Sequence, residues 1–146
     1  YLFYTSEHSC PGLNRYAWQV KSELNLEKMQ QAVDYYVGTY EFDAFMASGG
    51  STVPTTERTI YSATITEIPQ NPYAVAGDEK SRLYCFEVTG DGFLYNMVRI
   101  MTGTAVYAGM AKIKPEEIPE IIKSKDRRKA GITAPPHGLY LYRVAY

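Results

Sequence analysis

Cysteine is scarce in this chain. Cys10 and Cys85 are its only two in 146 residues, with neither a CxxC spacing nor a dense framework around them. That excludes a disulfide scaffold and makes a reducing, cytoplasmic setting the expectation. Histidine is as sparse, with His8 and His137 alone, and no paired zinc spacing joins them to the cysteines, so no metal is expected. An excess of one charge sign is missing too: 15 Lys and Arg against 16 Asp and Glu leave a net charge of -1. No global positive field draws the chain to nucleic acid or an anionic membrane, so any contact with a polyanion must be local. There is no internal repeat, no low-complexity tract, and no basic start followed by an apolar signal core. The first residue is Tyr1, already inside an apolar run, and the expectation is a chain that continues something longer.

What is present suits one globular domain spanning residues 1–146. The chain is 45% hydrophobic and 21% charged, enough to bury a real core and too apolar for disorder. One stretch, Gly92 to Ala111, holds a single charge in twenty residues and is long enough to raise the question of a membrane span. Asn96 and Arg99 near its centre, with Gly103 and Gly109, favour a buried helix of a soluble domain instead.

Segments Tyr1 to Thr5, Tyr16 to Val20, Arg58 to Ile68, Arg82 to Val88 and Leu139 to Tyr146 are rich in β-branched and aromatic residues with partial alternation, as half-buried strands are. Leu26, Met29, Val33 and Val37 recur at helical spacing behind a cap-like Asn25, with Gly38 placed for a C-terminal cap. A second helix is expected after the Gly90-Asp91-Gly92 turn, from about Phe93 to Ala108, with Phe93, Met97, Met101 and Ala105 on one stripe. A third runs from about Pro115 to Ser124, kinked or delayed by Pro119. Gly49 to Thr56 reads as a loop and Pro69 to Lys80 as a hairpin-tip insertion. The order of elements predicts an α+β domain, a largely antiparallel sheet with helices packed on one face.

Arg99 is the most informative residue. A helix otherwise without charge has no use for a guanidinium unless a carboxylate or phosphate pairs with it; the bland alternative is an exposed helix edge. Lys123, Lys125, Arg127, Arg128 and Lys129 form a basic run past the third helix, in a last quarter (residues 112–146) that carries 8 basic and 4 acidic side chains. Such a run can grip phosphates, or be a solvated face opposing a helix dipole. Fourteen tyrosines could offer stacking platforms for unpaired bases, although tyrosine also suits half-wet strands. A nucleophilic Cys10 or Cys85 paired with His8 or His137 is formally open, but Cys85 sits in an apolar strand where an inert thiol is commoner. No glycine-rich phosphate loop occurs.

Several phrases together carry a resemblance over most of the chain: Glu41-Phe42-Asp43-Ala44-Phe45; Arg58-Thr59-Ile60; the run from Gly92-Phe93-Leu94-Tyr95-Asn96 through Met97-Val98-Arg99 to Gly103-Thr104; Lys125-Asp126-Arg127; and Ala134-Pro135-Pro136-His137-Gly138-Leu139-Tyr140-Leu141. In order and spacing they resemble the C-terminal half of the tRNA pseudouridine synthase A family. The resemblance implies a pseudouridine synthase catalytic-type domain. It also implies an enzyme that isomerises uridine to pseudouridine in the anticodon stem-loop of tRNA, without metal or organic cofactor. The partners it implies are the tRNA anticodon arm, the protein's own N-terminal half and, as a homodimer, a second copy, with no membrane.

The family's catalytic aspartate lies in a glycine-arginine-threonine-aspartate phrase that these 146 residues do not contain. The resemblance therefore makes this chain one wall of the cleft, inactive alone. Arg99 matches the arginine that orients that aspartate. Leu139 matches an apolar residue beside the flipped base, and Tyr1 matches the second tyrosine of a Tyr-x-Tyr phrase whose first tyrosine contacts the base. Lys123 to Lys129 become candidates for RNA phosphates. The competing readings are a stand-alone RNA-binding or interaction module without catalysis, and a small metabolic enzyme using Cys10 or His8.

Overall fold

The computed structural model describes residues 1–69 and 78–146. Five strands, β1 (Leu2–Thr5), β2 (Trp18–Val20), β3 (Gly38–Glu41), β4 (Glu57–Ile68) and β5 (Arg82–Gly90), form one sheet in the order β2-β1-β5-β4-β3. Only the β1–β2 pair is parallel; the other three ladders are antiparallel. Three helices, α1 (Leu26–Asp34), α2 (Met97–Gly109) and α3 (Ile118–Ser124), complete the α+β layer. Residues 70–77, most of the insertion expected between Pro69 and Lys80, lie outside the described residues.

Side-chain alternation divides the sheet into two faces. Phe3, Ile60, Ala63, Ile65, Tyr84 and Phe86 join the main core with Met29, Ala32, Val33, Met97, Ile100, Met101 and Ala105 of the helices. Phe3 stacks on Tyr84 at 5.3 Å between ring centroids. Tyr4 and Leu83 point the other way and bury a small second cluster with Cys10, Leu13 and Ala17 under the segment between β1 and β2.

α1 is specified locally. The Asn25 side chain accepts from Lys28 N at 3.0 Å, Glu27 complements the positive end of the helix, and Met29, Ala32 and Val33 turn one stripe onto β4 and α2. The helix stops at Asp34, three residues short of the expected Val37, which stands 41% exposed. Gly38 is not a helix cap. Its φ of 132° lets it open β3, where it pairs with Ile60, and a Cβ there would meet the Tyr40 ring at 2.9 Å. This edge strand is too short and too exposed to leave an apolar pattern.

α2 starts at Met97 instead of Phe93. Asn96 takes a left-handed conformation (φ 59°), which asparagine tolerates better than most residues and which no helix interior accepts. The Met97, Met101, Ala105 stripe is buried as expected, whereas Phe93 is left exposed. Two buried threonines satisfy themselves within the helix, Thr102 donating to Val98 O and Thr104 to Ile100 O, each at 2.8 Å. Pro119 delays α3 rather than kinking it: a 3-10 turn at Pro115–Glu117 precedes the helix, and Pro119 sits in its first turn, where no amide hydrogen is needed.

Leu139 to Tyr146 is not a strand. Among the described residues no backbone hydrogen bond reaches residues 140–146, and both faces are open, with Leu141 84% and Tyr142 87% exposed. An alternating pattern encodes the capacity to pair; the pairing itself needs a neighbouring strand, and none of the described residues forms one alongside.

Tyr36 is fully buried and donates to Met101 O at 3.1 Å. Burial pushes its phenol well above the usual range, so below pH about 10 it is protonated folded or unfolded and its contribution is complete. Above that pH the unfolded chain ionises first, and stability falls as pH rises. Urea titrations at rising alkaline pH should show the wild type losing about 1.4 kcal/mol per pH unit more than Tyr36→Phe. Parallel slopes would show that Tyr36 is not the buried proton holder.

Candidate functional site: the α2 N-terminus and the strap from Gly131 to Leu139

The segment after the basic run passes over α2 as a strap, and small residues let it come close. A Cβ on Gly103 would fall 1.8 Å from Ile132 O, and one on Gly131 would fall 2.6 Å from the Thr104 backbone. Gly131 N donates to Thr104 Oγ1 at 2.8 Å in a buried bond. One turn earlier on α2, Ala134 N donates to Arg99 O at 3.1 Å.

Arg99 returns that contact with its side chain. Nε donates to Ala134 O at 2.7 Å and Nη1 to Asn96 Oδ1 at 2.9 Å. The left-handed turn at Asn96 thus gives both the start of α2 and a side-chain acceptor for the guanidinium. Arg99 is half-buried, no carboxylate lies within ion-pair distance of it among the described residues, and its Nη2 has no partner there. A guanidinium oriented by two neutral acceptors, with one nitrogen open, is prepared to receive an anion.

The strap continues through Pro135 and a 3-10 turn at Pro136–Gly138 to Leu139, which is 41% exposed. Tyr1 OH donates to Pro135 O at 2.5 Å, His137 Nε2 to Ala17 O at 3.1 Å, and Tyr140 OH to Tyr16 O at 2.8 Å. Gly138 lies on Tyr1, where a Cβ would meet the ring at 2.7 Å. The sequence signalled Arg99 through its isolation and Leu139 through resemblance. The contact of the Tyr1 phenol with the strap was not legible, because its partner lies 134 residues away.

The basic run is largely occupied. Lys125 pairs with Glu41 at 2.6 Å, Lys123 with Glu120 at 3.9 Å, and Arg128 with Asp126 at 3.0 Å. The Glu41 carboxylate raises the Lys125 ammonium, and the Arg128 guanidinium holds Asp126 below the usual carboxylate range. Arg127 turns inward to Gly131 O at 2.7 Å and Thr133 Oγ1 at 3.0 Å, so it ties down the start of the strap. Lys129 alone of the five makes no side-chain hydrogen bond or ion pair with the described residues, though its charge helps to hold Asp126 low. Cys10 is buried in the back-face cluster and His8 is exposed. No group of three His, Cys, Asp or Glu among the described residues could hold a metal, and no described helix is long and apolar enough to cross a membrane.

Residues 32–146 match the family described as tRNA pseudouridine synthase. Curated relatives agree over the whole chain: tRNA pseudouridine synthase A of Thermoanaerobacter sp. (strain X514) is 42% identical over 146 residues, 100% of this chain and 54% of the relative. The proteins of the same name from Acetivibrio thermocellus and Bacillus subtilis are 41% and 38% identical over the same shares. The chain spans about half the length of the curated relatives it matches. With the family match running over residues 32–146, this chain belongs to the tRNA pseudouridine synthase family.

Proposed function

We propose that the chain forms one wall of the active-site cleft of a tRNA pseudouridine synthase, and that the wall carrying the catalytic aspartate comes from an N-terminal half outside these residues. The observation that carries this reading is Arg99, a half-buried guanidinium held by Asn96 and Ala134 with its remaining nitrogen open. Arg99 receives the aspartate: an ionic hydrogen bond keeps that carboxylate ionised and fixes its direction, as attack at the sugar requires.

The substrate is a uridine of the tRNA anticodon arm, extruded from its stem at an unstacking cost of a few kcal/mol. The C1′–N1 bond breaks, the base turns in place, C1′ bonds to C5, the C5 proton leaves to water and N1 takes up a proton in its place, so the product is an isomer. Leu139, beside the base, excludes water and keeps the detached uracil from escaping. Nothing in this sequence calls for a metal or organic cofactor. The exposed, unpaired segment at residues 140–146 supports a partner polypeptide here, and homodimeric assembly in the cytoplasm belongs to the same reading.

Lys129 is the phosphate contact of the basic run, and Arg127 its structural member. Lys129→Ala is expected to weaken tRNA binding and lower the slope of log affinity against log salt by about 1. Arg127→Ala should leave that slope unchanged and lower the denaturation midpoint. The reverse pattern would exchange the two roles. The reading as a whole is tested by sequencing the coding region upstream of Tyr1, over about a hundred codons. An aspartate in a glycine-arginine-threonine-aspartate phrase supports it; an initiating methionine just before Tyr1 would leave an RNA-binding module without catalysis.

A further inference from the structure

Two consecutive carbonyls of the strap are held by two different elements. Ala134 O accepts from Arg99 Nε of α2 at 2.7 Å, and Pro135 O accepts from the Tyr1 phenol at 2.5 Å. Tyr1 is itself anchored to the sheet: its nitrogen donates to Phe86 O at 2.7 Å and its carbonyl accepts from Phe86 N at 2.8 Å, extending the β1–β5 ladder by one residue. Its ring is buried beneath Gly138. The phenol is therefore a strut between the sheet and the point where the strap turns from Arg99 toward Leu139.

We propose that Tyr1 is a positioning residue for the reaction, its phenol fixing the strap so that Arg99 and Leu139 keep their relative placement and the open Arg99 nitrogen keeps its direction. This rests on the functional reading above. Proline gives the strap no amide hydrogen at residues 135 and 136, so few backbone bonds can replace the strut. Burial raises the phenol well above its usual range, with the nearby Arg99 charge only partly opposing it. Tyr1 thus remains a protonated donor throughout the working pH range. The hydroxyl, not the ring, makes this contact, so Tyr1→Phe keeps the packing under Gly138 while releasing Pro135 O.

The test joins the chain to the portion of the Thermoanaerobacter relative that lies outside the match, and compares Tyr1→Phe with the parent fusion. Displacement of about 1 Å at a reacting centre costs on the order of a hundredfold. The expected result is a fall in kcat of about tenfold or more, with KM for tRNA within about twofold. The acid limb of the pH–rate profile should also move to higher pH, because a carboxylate less well met by Arg99 holds its proton longer. A merely structural tyrosine would lower the denaturation midpoint and leave the acid limb in place, which would overturn the proposal.

A second measurement needs no activity. In the 146-residue chain, hydrogen exchange at the Arg99 Nε proton, assigned by its loss in Arg99→Lys, should accelerate in Tyr1→Phe. An unchanged rate would show that the strut does not reach Arg99. Should the parent fusion be inactive while this exchange responds, the functional reading fails and the mechanical coupling stands.

Discussion

Arg99→Ala, in an enzyme completed by an aspartate-bearing half, is expected to reduce kcat by about 10²–10³-fold, the usual effect of removing one pre-oriented charged donor from a water-poor site. Affinity for tRNA should change far less, because Arg99 Nε and Nη1 are already committed to Ala134 O and Asn96 Oδ1, which leaves one nitrogen to meet an anion. Single-turnover and binding measurements separate the two. Arg99→Lys should recover little, since an ammonium cannot keep both existing bonds and still present a directed third. Lost affinity with a normal single-turnover rate would instead make Arg99 a phosphate contact.

The second large effect is on stability. Gly103 lies within α2, where alanine ordinarily gains about 1 kcal/mol over glycine. Here the added Cβ would stand 1.8 Å from Ile132 O and 2.8 Å from Ile132 C, backbone atoms that cannot swing aside. The strap would have to lift, straining the Gly131–Thr104 and Ala134–Arg99 bonds that hold it. Overpacking of this kind costs typically 1–3 kcal/mol and sometimes more, which outweighs propensity. Gly103→Ala should destabilise by about 2 kcal/mol, read as a lower urea midpoint. Stabilisation would mean that the strap does not lie on α2. At Gly92 the nearest atom to an added Cβ is the mobile Arg58 side chain at 3.6 Å, so Gly92→Ala should change the midpoint little.

These two substitutions also mark what the sequence could and could not disclose. Periodicity found the buried stripe of α2, the cap at Asn25 and four of the five strands, because each is set by residues within a few positions of one another. It missed β3, whose pairing with β4 rests on backbone hydrogen bonds rather than apolar side chains. It began α2 too early, since an apolar Phe93 fits a helical stripe and only the backbone reversal at Asn96 forbids it. It gave Leu139 to Tyr146 a strand's pattern without being able to say whether a partner lay beside it. For the site, a lone charge in an apolar run was enough to single out Arg99. The strap was not readable, because it is built from glycine-sized gaps and carbonyls contacted across long sequence separations. Charge counting could not show which members of the basic run are already paired, for the same reason: Glu41, the partner of Lys125, is 84 residues away in sequence.

The central claim is that this chain supplies the Arg99-bearing wall of a pseudouridine-forming cleft. It is tested most directly by releasing tritium from C5 of uridine in tRNA, a step that accompanies the new C1′–C5 bond. The chain alone and the chain joined to the missing portion of the Thermoanaerobacter relative should be compared. Release is expected only from the joined protein, and is expected to be lost with Arg99→Ala. Release by the chain alone would contradict it, as would a joined protein that folds and binds tRNA yet releases nothing.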